Sequence, residues 1–407
     1  MKKTIKILLI LISLIIVYAY ALVITSLPDT LIVFEGENVE LNTLYGMKIN
    51  LKDDSYEALL TSSNIGEQAF NQKGTTTLTA SLFNFNIKDI EVNVLDKAYV
   101  IPIGKITGIK LYTKGVLVVG MSEIDGQKPY EGVDIQEGDI ITNINETEID
   151  NTTELIECIN QSNGETLNIT YVTNGETKSS SITPIKNERG TYQIGLWVRD
   201  SAAGIGTVSF YEPQTGNFVA LGHGITDIDT SQIINISSGE LVNTKILSIV
   251  KGEIGTPGKI QGSLDNQRSI GTIYKNTKLG IYGKVTNEAN LLPSYSEAIQ
   301  VATRDEIQIG KATILCSVEN SDKIEEYEIE IEKKFVNNNF DNKSMLIKVT
   351  DERLIEKTGG IVQGMSGSPI VQNGKFVGAI THVIVNNPKE GYAVFGDMLI
   401  KQMRSVQ

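Results

Sequence analysis

From about residue 190 to the C-terminus the chain has almost no helical periodicity, and this restricts its fold more than any other feature. Short apolar or alternating runs follow one another: Gly195-Leu196-Trp197-Val198, Gly206-Thr207-Val208-Ser209-Phe210, Lys245 to Val250, Gly280 to Val285 and Tyr327 to Ile331. Turns rich in glycine and asparagine separate them. Roughly 215 residues patterned this way suit a pair of all-β barrels. Between about Tyr99 and Lys186 the order of elements changes. A buried strand at Gly115 to Gly120 is followed by a turn into a strand at Gly138-Asp139-Ile140-Ile141 and a capped helix over 151–160. A hairpin then closes through Asn174-Gly175. Alternating segments from Pro28 to about Ala98, such as Ile90-Glu91-Val92-Asn93-Val94, predict a small β-rich module that works as a spacer.

At the N-terminus Lys2, Lys3 and Lys6 precede an uncharged run from Ile7 to Leu27, long enough for a transmembrane helix. Positive charge before the run favours a cytoplasmic N-terminus and an exported body. An uncleaved signal-anchor over residues 1–27 is the favoured reading, with a cleaved signal peptide as its rival. The net charge of -13 argues against nucleic acid or an anionic lipid surface as the main partner, since both need a basic face. The two cysteines, Cys158 and Cys316, lie in apolar runs of different domains and read as buried thiols rather than a disulfide. With two separated histidines as well, no metal-ligand spacing exists and no cofactor is expected.

Chemistry concentrates in Gly359 to His382, GGIVQGMSGSPIVQNGKFVGAITH. Within it, Gly364-Met365-Ser366-Gly367-Ser368-Pro369 sets a serine among small residues, where the backbone can turn sharply and bring amides beside the hydroxyl. An Asn373-Gly374 hairpin follows and gives the serine a rigid base. Serine needs a neighbouring base. His223 lies where an apolar run ends in a glycine-flanked turn, Leu221-Gly222-His223-Gly224, and is the first choice; His382, on the strand leaving the hairpin, is the second.

GMSGSP is similar to the nucleophile motif of trypsin-like serine peptidases. Together, GIVQGMSGSPI, LGHGITDIDT and AGIGTVSFYEP resemble the stage IV sporulation protein B family over essentially the full length. The resemblance implies a mainly β protein with an N-terminal transmembrane helix (1–27) and a β-rich module (28–98). A PDZ domain (99–186) and a trypsin-like double β-barrel peptidase domain (190–407) would follow. It implies Ser366 as nucleophile, His223 as base, Asp351 as orienting carboxylate and the amides of Gly364 and Ser366 as oxyanion hole. Asp227 and Asp229, close to His223 in the chain, are substitutes for Asp351. His382 would border the substrate pocket, and Lys114, Gly115, Val116, Leu117 and Val118 would receive the peptide bound by the PDZ domain. By the same resemblance the protein is a membrane-tethered, self-cleaving serine endopeptidase of the forespore membrane and intermembrane space. It would cleave a membrane regulatory protein and so trigger a later intramembrane protease. The alternative is a catalytically silent, membrane-anchored PDZ scaffold. A site masked until the PDZ groove is filled or emptied also stays open.

Overall fold

The computed structural model describes residues 2–36, 38–40, 47–52, 67–70, 73–82, 85–291, 295–319, 322–335 and 342–406. Helix Lys2–Ser26 comes first, and its segment Ile5–Leu22 is long and apolar enough to cross a membrane, with none of it buried in the protein. A four-stranded sheet follows, in the order Thr30–Phe34, Phe85–Leu95, Gly74–Leu82, Met47–Leu51. Leu31, Phe70, Leu78 and Val92 fill its core. Phe34 leaves that core and packs with Leu399 and Met403 of the C-terminal helix Gly396–Ser405, which docks the module onto the body.

The last part of the chain forms a closed six-stranded barrel from contiguous sequence. Its strands run in the order Gly310–Cys316, Glu325–Lys334, Met345–Val349, Asn387–Phe395, Lys375–Ile384, Pro369–Gln372. Alternation builds it: in Glu325–Lys334, Tyr327, Ile329 and Ile331 point inward while the glutamates between them face out. Cys316 lies in this core, where burial pushes its thiol up. Cys158 is half-buried, and both thiols are free.

A second ring of six strands has a different origin. Strand Ile106–Met121 pairs with both Ile236–Val250 and Leu196–Glu212, and the path through Lys259–Thr277, Gly280–Val285 and Asn217–Ala220 closes the ring. Ile109, Leu111, Val208, Phe218, Leu241 and Ile281 fill it. Only the first half of Ile106–Met121 belongs to this barrel. Its second half pairs with Ile140–Ile144, in a smaller body that also holds Leu167–Thr173, Glu176–Ile182 and helix Thr152–Gln161. Strand Leu196–Glu212 mirrors this: Leu196 to Arg199 lie beside Met121 to Leu117, and Ser201 to Thr207 beside Tyr112 to Ile106. A two-stranded ribbon therefore passes unbroken from the small body into the barrel.

The expected boundaries at 99–186 and 190–407 do not follow this pairing, because each long strand serves both bodies. The ribbon bends at Gly115, whose φ of +91° suits glycine and whose missing Cβ would stand 2.4 Å from the Ile141 carbonyl oxygen. There the Thr113 hydroxyl donates to the carbonyls of Gly115 (2.5 Å) and Asp200 (3.0 Å), stapling the two strands where their register shifts.

Candidate active site

Ser366 and His223 come from different barrels and line one cleft of about 390 Å³, together with His382, Ile205, Val362 and Gly364. The serine sits in a tight loop before Pro369–Gln372. Met365 donates to Val362 O (3.0 Å), Gly367 to Ile380 O (2.7 Å) and Ser368 to Met365 O (2.9 Å). Gly367 has a φ of +97°, and a Cβ there would stand 2.0 Å from the Thr207 carbonyl oxygen. That contact is the seam between the barrels. Thr207 reinforces it by donating its amide to Ser366 O (3.0 Å) and its hydroxyl to Gly364 O (2.7 Å).

The amides of Gly364 and Ser366 have no hydrogen-bond partner among the described residues, whereas Gln363, Met365, Gly367 and Ser368 all donate. Free donors in so constrained a loop are rare. They are suited to hold the oxygen of a tetrahedral intermediate. The Ser366 hydroxyl itself donates to Thr381 O (2.9 Å), and no hydrogen bond joins it to His223.

His223 follows strand Asn217–Ala220, where Leu221 and Gly222 turn the chain with φ of +73° and +69°. A leucine in that conformation is strained. It is held there by its amide, which donates to Thr207 O (3.1 Å). His223 Nδ1 lies 2.9 Å from Gly224 O. A carbonyl only accepts, so this bond assigns the proton to Nδ1 and leaves Nε2 with the lone pair a base needs. Burial lowers the pKa of His223, against a smaller opposite effect of the Gly224 carbonyl. The ring centroid of His382 is 5.1 Å away, at an interplanar angle of 37°. Its pKa is pushed down to about 4, first by burial and then by His223 and Lys343. Both rings are therefore neutral at neutral pH.

The structure does not bring Asp351 to this histidine. Asp351 caps helix Glu352–Thr358, accepting the Arg353 amide (2.9 Å), Arg353 Nε (3.1 Å), Arg353 Nη2 (2.8 Å) and the Glu328 amide (3.2 Å). With its oxygens so engaged, it is a structural cap, and a backbone carbonyl stands where the orienting carboxylate was expected. The substitutes fare no better. Asp227 and Asp229 both pair with the Arg199 guanidinium, and Asp227 also accepts the amides of Asp229 and Thr230 (3.0 Å each).

Lys114 to Val118 are corrected as well. Val116 and Leu117 pair with Ile141 and Ile140 on one side, while Leu117 and Val118 pair with Arg199 and Val198 on the other. This strand is internal and has no edge to offer a peptide. Among the described residues Leu196–Val198 pairs on one side only and so offers an edge, which sequence reasoning missed. The outer strand Glu176–Ile182 offers another, on the far side from the helix groove. Between Leu196–Val198 and helix Thr152–Gln161 runs that groove of about 460 Å³, lined by Leu155, Ile156, Ile159, Gly195 and Trp197 among others.

A sequence model of the SpoIVB peptidase S55 family matches residues 190–400, over half of the chain. The chain belongs to this family. It is a serine peptidase, a hydrolase, of sporulation type. A PDZ-domain model matches residues 90–183 of this S55 peptidase. Two solved structures similar to it are PDZ domains of SdrC-like proteins. The one from Listeria monocytogenes is 25% identical, with 21% of this chain and 87% of that chain covered and a TM-score of 0.19. The one from Listeria innocua is 28% identical, covering 21% and 93%, with the same TM-score of 0.19. No curated protein matches the chain.

Proposed function

We propose that this S55 peptidase cleaves peptide bonds by acyl transfer, with Ser366 as nucleophile and His223 as base. His223 Nε2 takes the hydroxyl proton, the serine attacks the carbonyl, and the amides of Gly364 and Ser366 hold the oxyanion. Its collapse breaks the C–N bond as His223 gives the proton to the leaving amine, and water, deprotonated by His223, then hydrolyses the acyl-serine. Gly224 O keeps the imidazole in the working tautomer, a role elsewhere given to a carboxylate. The observation that carries this reading is that the amides of Gly364 and of Ser366 itself are unpartnered among the described residues, beside a serine that shares its cleft with a histidine held through Nδ1 by Gly224 O. The Ser366 hydroxyl must first rotate away from Thr381 O, so the geometry is that of a resting enzyme. His382 borders the substrate cleft from the serine side.

In the finer reading the protein is tethered through its N-terminal helix, cleaves itself and cleaves a membrane regulatory protein during spore formation, at the forespore membrane. The PDZ domain takes a peptide as an added strand on the free edge of Leu196–Val198. The test is mass spectrometry of the full chain in detergent at neutral pH, wild type beside Ser366→Ala. Discrete N-terminal trimming in the wild type alone supports the reading. Equal trimming in both would refute the serine assignment.

A further inference from the structure

We infer that Arg199 is a positioning residue for His223, which fixes the histidine loop to the PDZ domain. The inference rests on the reading of Ser366 and His223 as nucleophile and base. Arg199 ends the strand segment that borders the PDZ groove. Its guanidinium forks onto Asp227 Oδ2 through Nη1 and onto Asp229 Oδ2 through Nη2 (2.8 Å). Both carboxylates belong to the turn that follows His223 by a few residues.

That turn is bonded within itself and is also tied to its barrel. There the Asn276 side chain accepts the Ile225 amide (2.9 Å) and donates to the carbonyls of Ile225 (2.8 Å) and Ile234 (3.0 Å). Asp227 donates its amide to Gln232 O (2.8 Å), Ser231 donates to Asp227 O (2.9 Å), and Ile234 donates to Ile225 O (3.1 Å). The Asp227 side chain, 1% exposed, organises the tip by accepting the amides of Asp229 and Thr230. Arg199 thus sets the tip of a turn whose base, at Ile225 beside Asn276, leads through Gly224 to His223. A paired, buried carboxylate is a stiff attachment, since losing its partner leaves a charge without solvent.

The other end of the attachment is equally fixed. Asp200, next to Arg199, accepts the Thr152 amide that opens the groove helix (2.7 Å). The same turn meets the PDZ domain a second time at Gly138, where an added Cβ would stand 2.8 Å from Gln232 Nε2. Groove strand, groove helix and histidine turn thus share one rigid junction. Among the described residues the serine loop makes no ion pair with the PDZ domain; Thr207, further along the strand that carries Arg199 and deep in the barrel, holds it. A displacement at the junction therefore alters where His223 sits relative to Ser366, and a misplacement of about 1 Å costs up to ~100-fold in rate.

The test uses the full chain in detergent and a rhodamine-tagged fluorophosphonate, which labels a serine only when its base is in place. Arg199→Gln is expected to slow labelling about tenfold, Arg199→Lys less than threefold, and Ser366→Ala is not labelled. Wild-type chain that fails to label sinks the peptidase reading itself. Wild-type chain that labels, beside Arg199→Gln labelling at the same rate, overturns the role of Arg199 alone. Because Arg199→Gln strands the buried Asp227, its melting temperature is measured alongside. If it unfolds, Asp229→Asn decides, as its half-exposed carboxylate contributes little to stability. An unchanged rate there overturns the inference, and a slowing of about threefold at constant melting temperature supports it.

Discussion

The two barrels have the same strand number and meet at one cleft, yet they are assembled differently. The serine barrel is contiguous from Gly310 to Phe395 and depends on nothing outside itself for closure. The histidine barrel takes one strand from residues before the PDZ helix and the neighbouring strand from residues after it, so the PDZ domain is an insertion in its wall. This difference assigns separate duties. The nucleophile and the free amides sit on a scaffold closed by its own hydrogen bonds, while the base sits on a scaffold whose shape includes the PDZ domain.

The seam is where the two can be separated most forcefully. Gly367→Ala drives a methyl into the Thr207 carbonyl at a φ of +97°. We expect a loss of about 3 kcal/mol or more in urea unfolding, and with it activity; a stable, active variant would mean that the barrels do not meet there. Asp351→Ala gives a smaller effect that separates cap from catalyst. Removing a helix cap costs about 1 kcal/mol of stability, with fluorophosphonate labelling within about threefold of wild type. If Asp351 oriented His223, labelling would instead fall by orders of magnitude, on the order of 10⁴.

The pH dependence compares the two rings. His382 belongs to the serine barrel, and folding depresses its pKa from 6.5 to about 4. The unfolded chain takes up that proton first, so the stability contribution is whole above pH 6.5 and is lost as the pH falls toward about 4. His382→Gln is expected to flatten urea midpoints over this window, and an unchanged slope would argue against the depressed pKa. His223, lowered in the same direction, must be neutral to act. The acid limb of labelling should therefore have its midpoint below 6.5 and survive His382→Gln. The smallest signal comes from Trp197, the sole tryptophan, 63% exposed beside the groove. A peptide added to Leu196–Val198 should shift its emission by a few nanometres, whereas a peptide binding elsewhere leaves it unmoved.

How much of this was legible depends on whether the signal was local. The serine turn, the Asn373-Gly374 hairpin with φ of +52° and +74°, and helix Thr152–Gln161 with its Asn151 cap follow from nearby residues. The insertion does not, because Ile106–Met121 reads as continuous apolar strand and nothing in its composition marks where one body ends. Ser201 to Gly206 carry no sustained apolar pattern, yet they are strand; Ala202, Ala203 and Gly204 line the cleft, and a Cβ on Gly206 would stand 2.0 Å from Leu221 Cδ2. The capping role of Asp351 is local too. An aspartate before Glu352-Arg353-Leu354-Ile355, with Gly359 at φ +77° closing the helix, is a helix-start and helix-stop signature. Likewise, which strand has a free edge is decided by pairing across the ribbon, which no single stretch of sequence encodes.

The most direct test of the account is to label the full chain with the fluorophosphonate, digest it and identify the modified residue, wild type beside His223→Ala. A single adduct on Ser366 is expected in the wild type, with a labelling rate lower by about 10³-fold or more without the imidazole. An adduct on another serine, or an equal rate in His223→Ala, would contradict a base and nucleophile meeting between the two barrels.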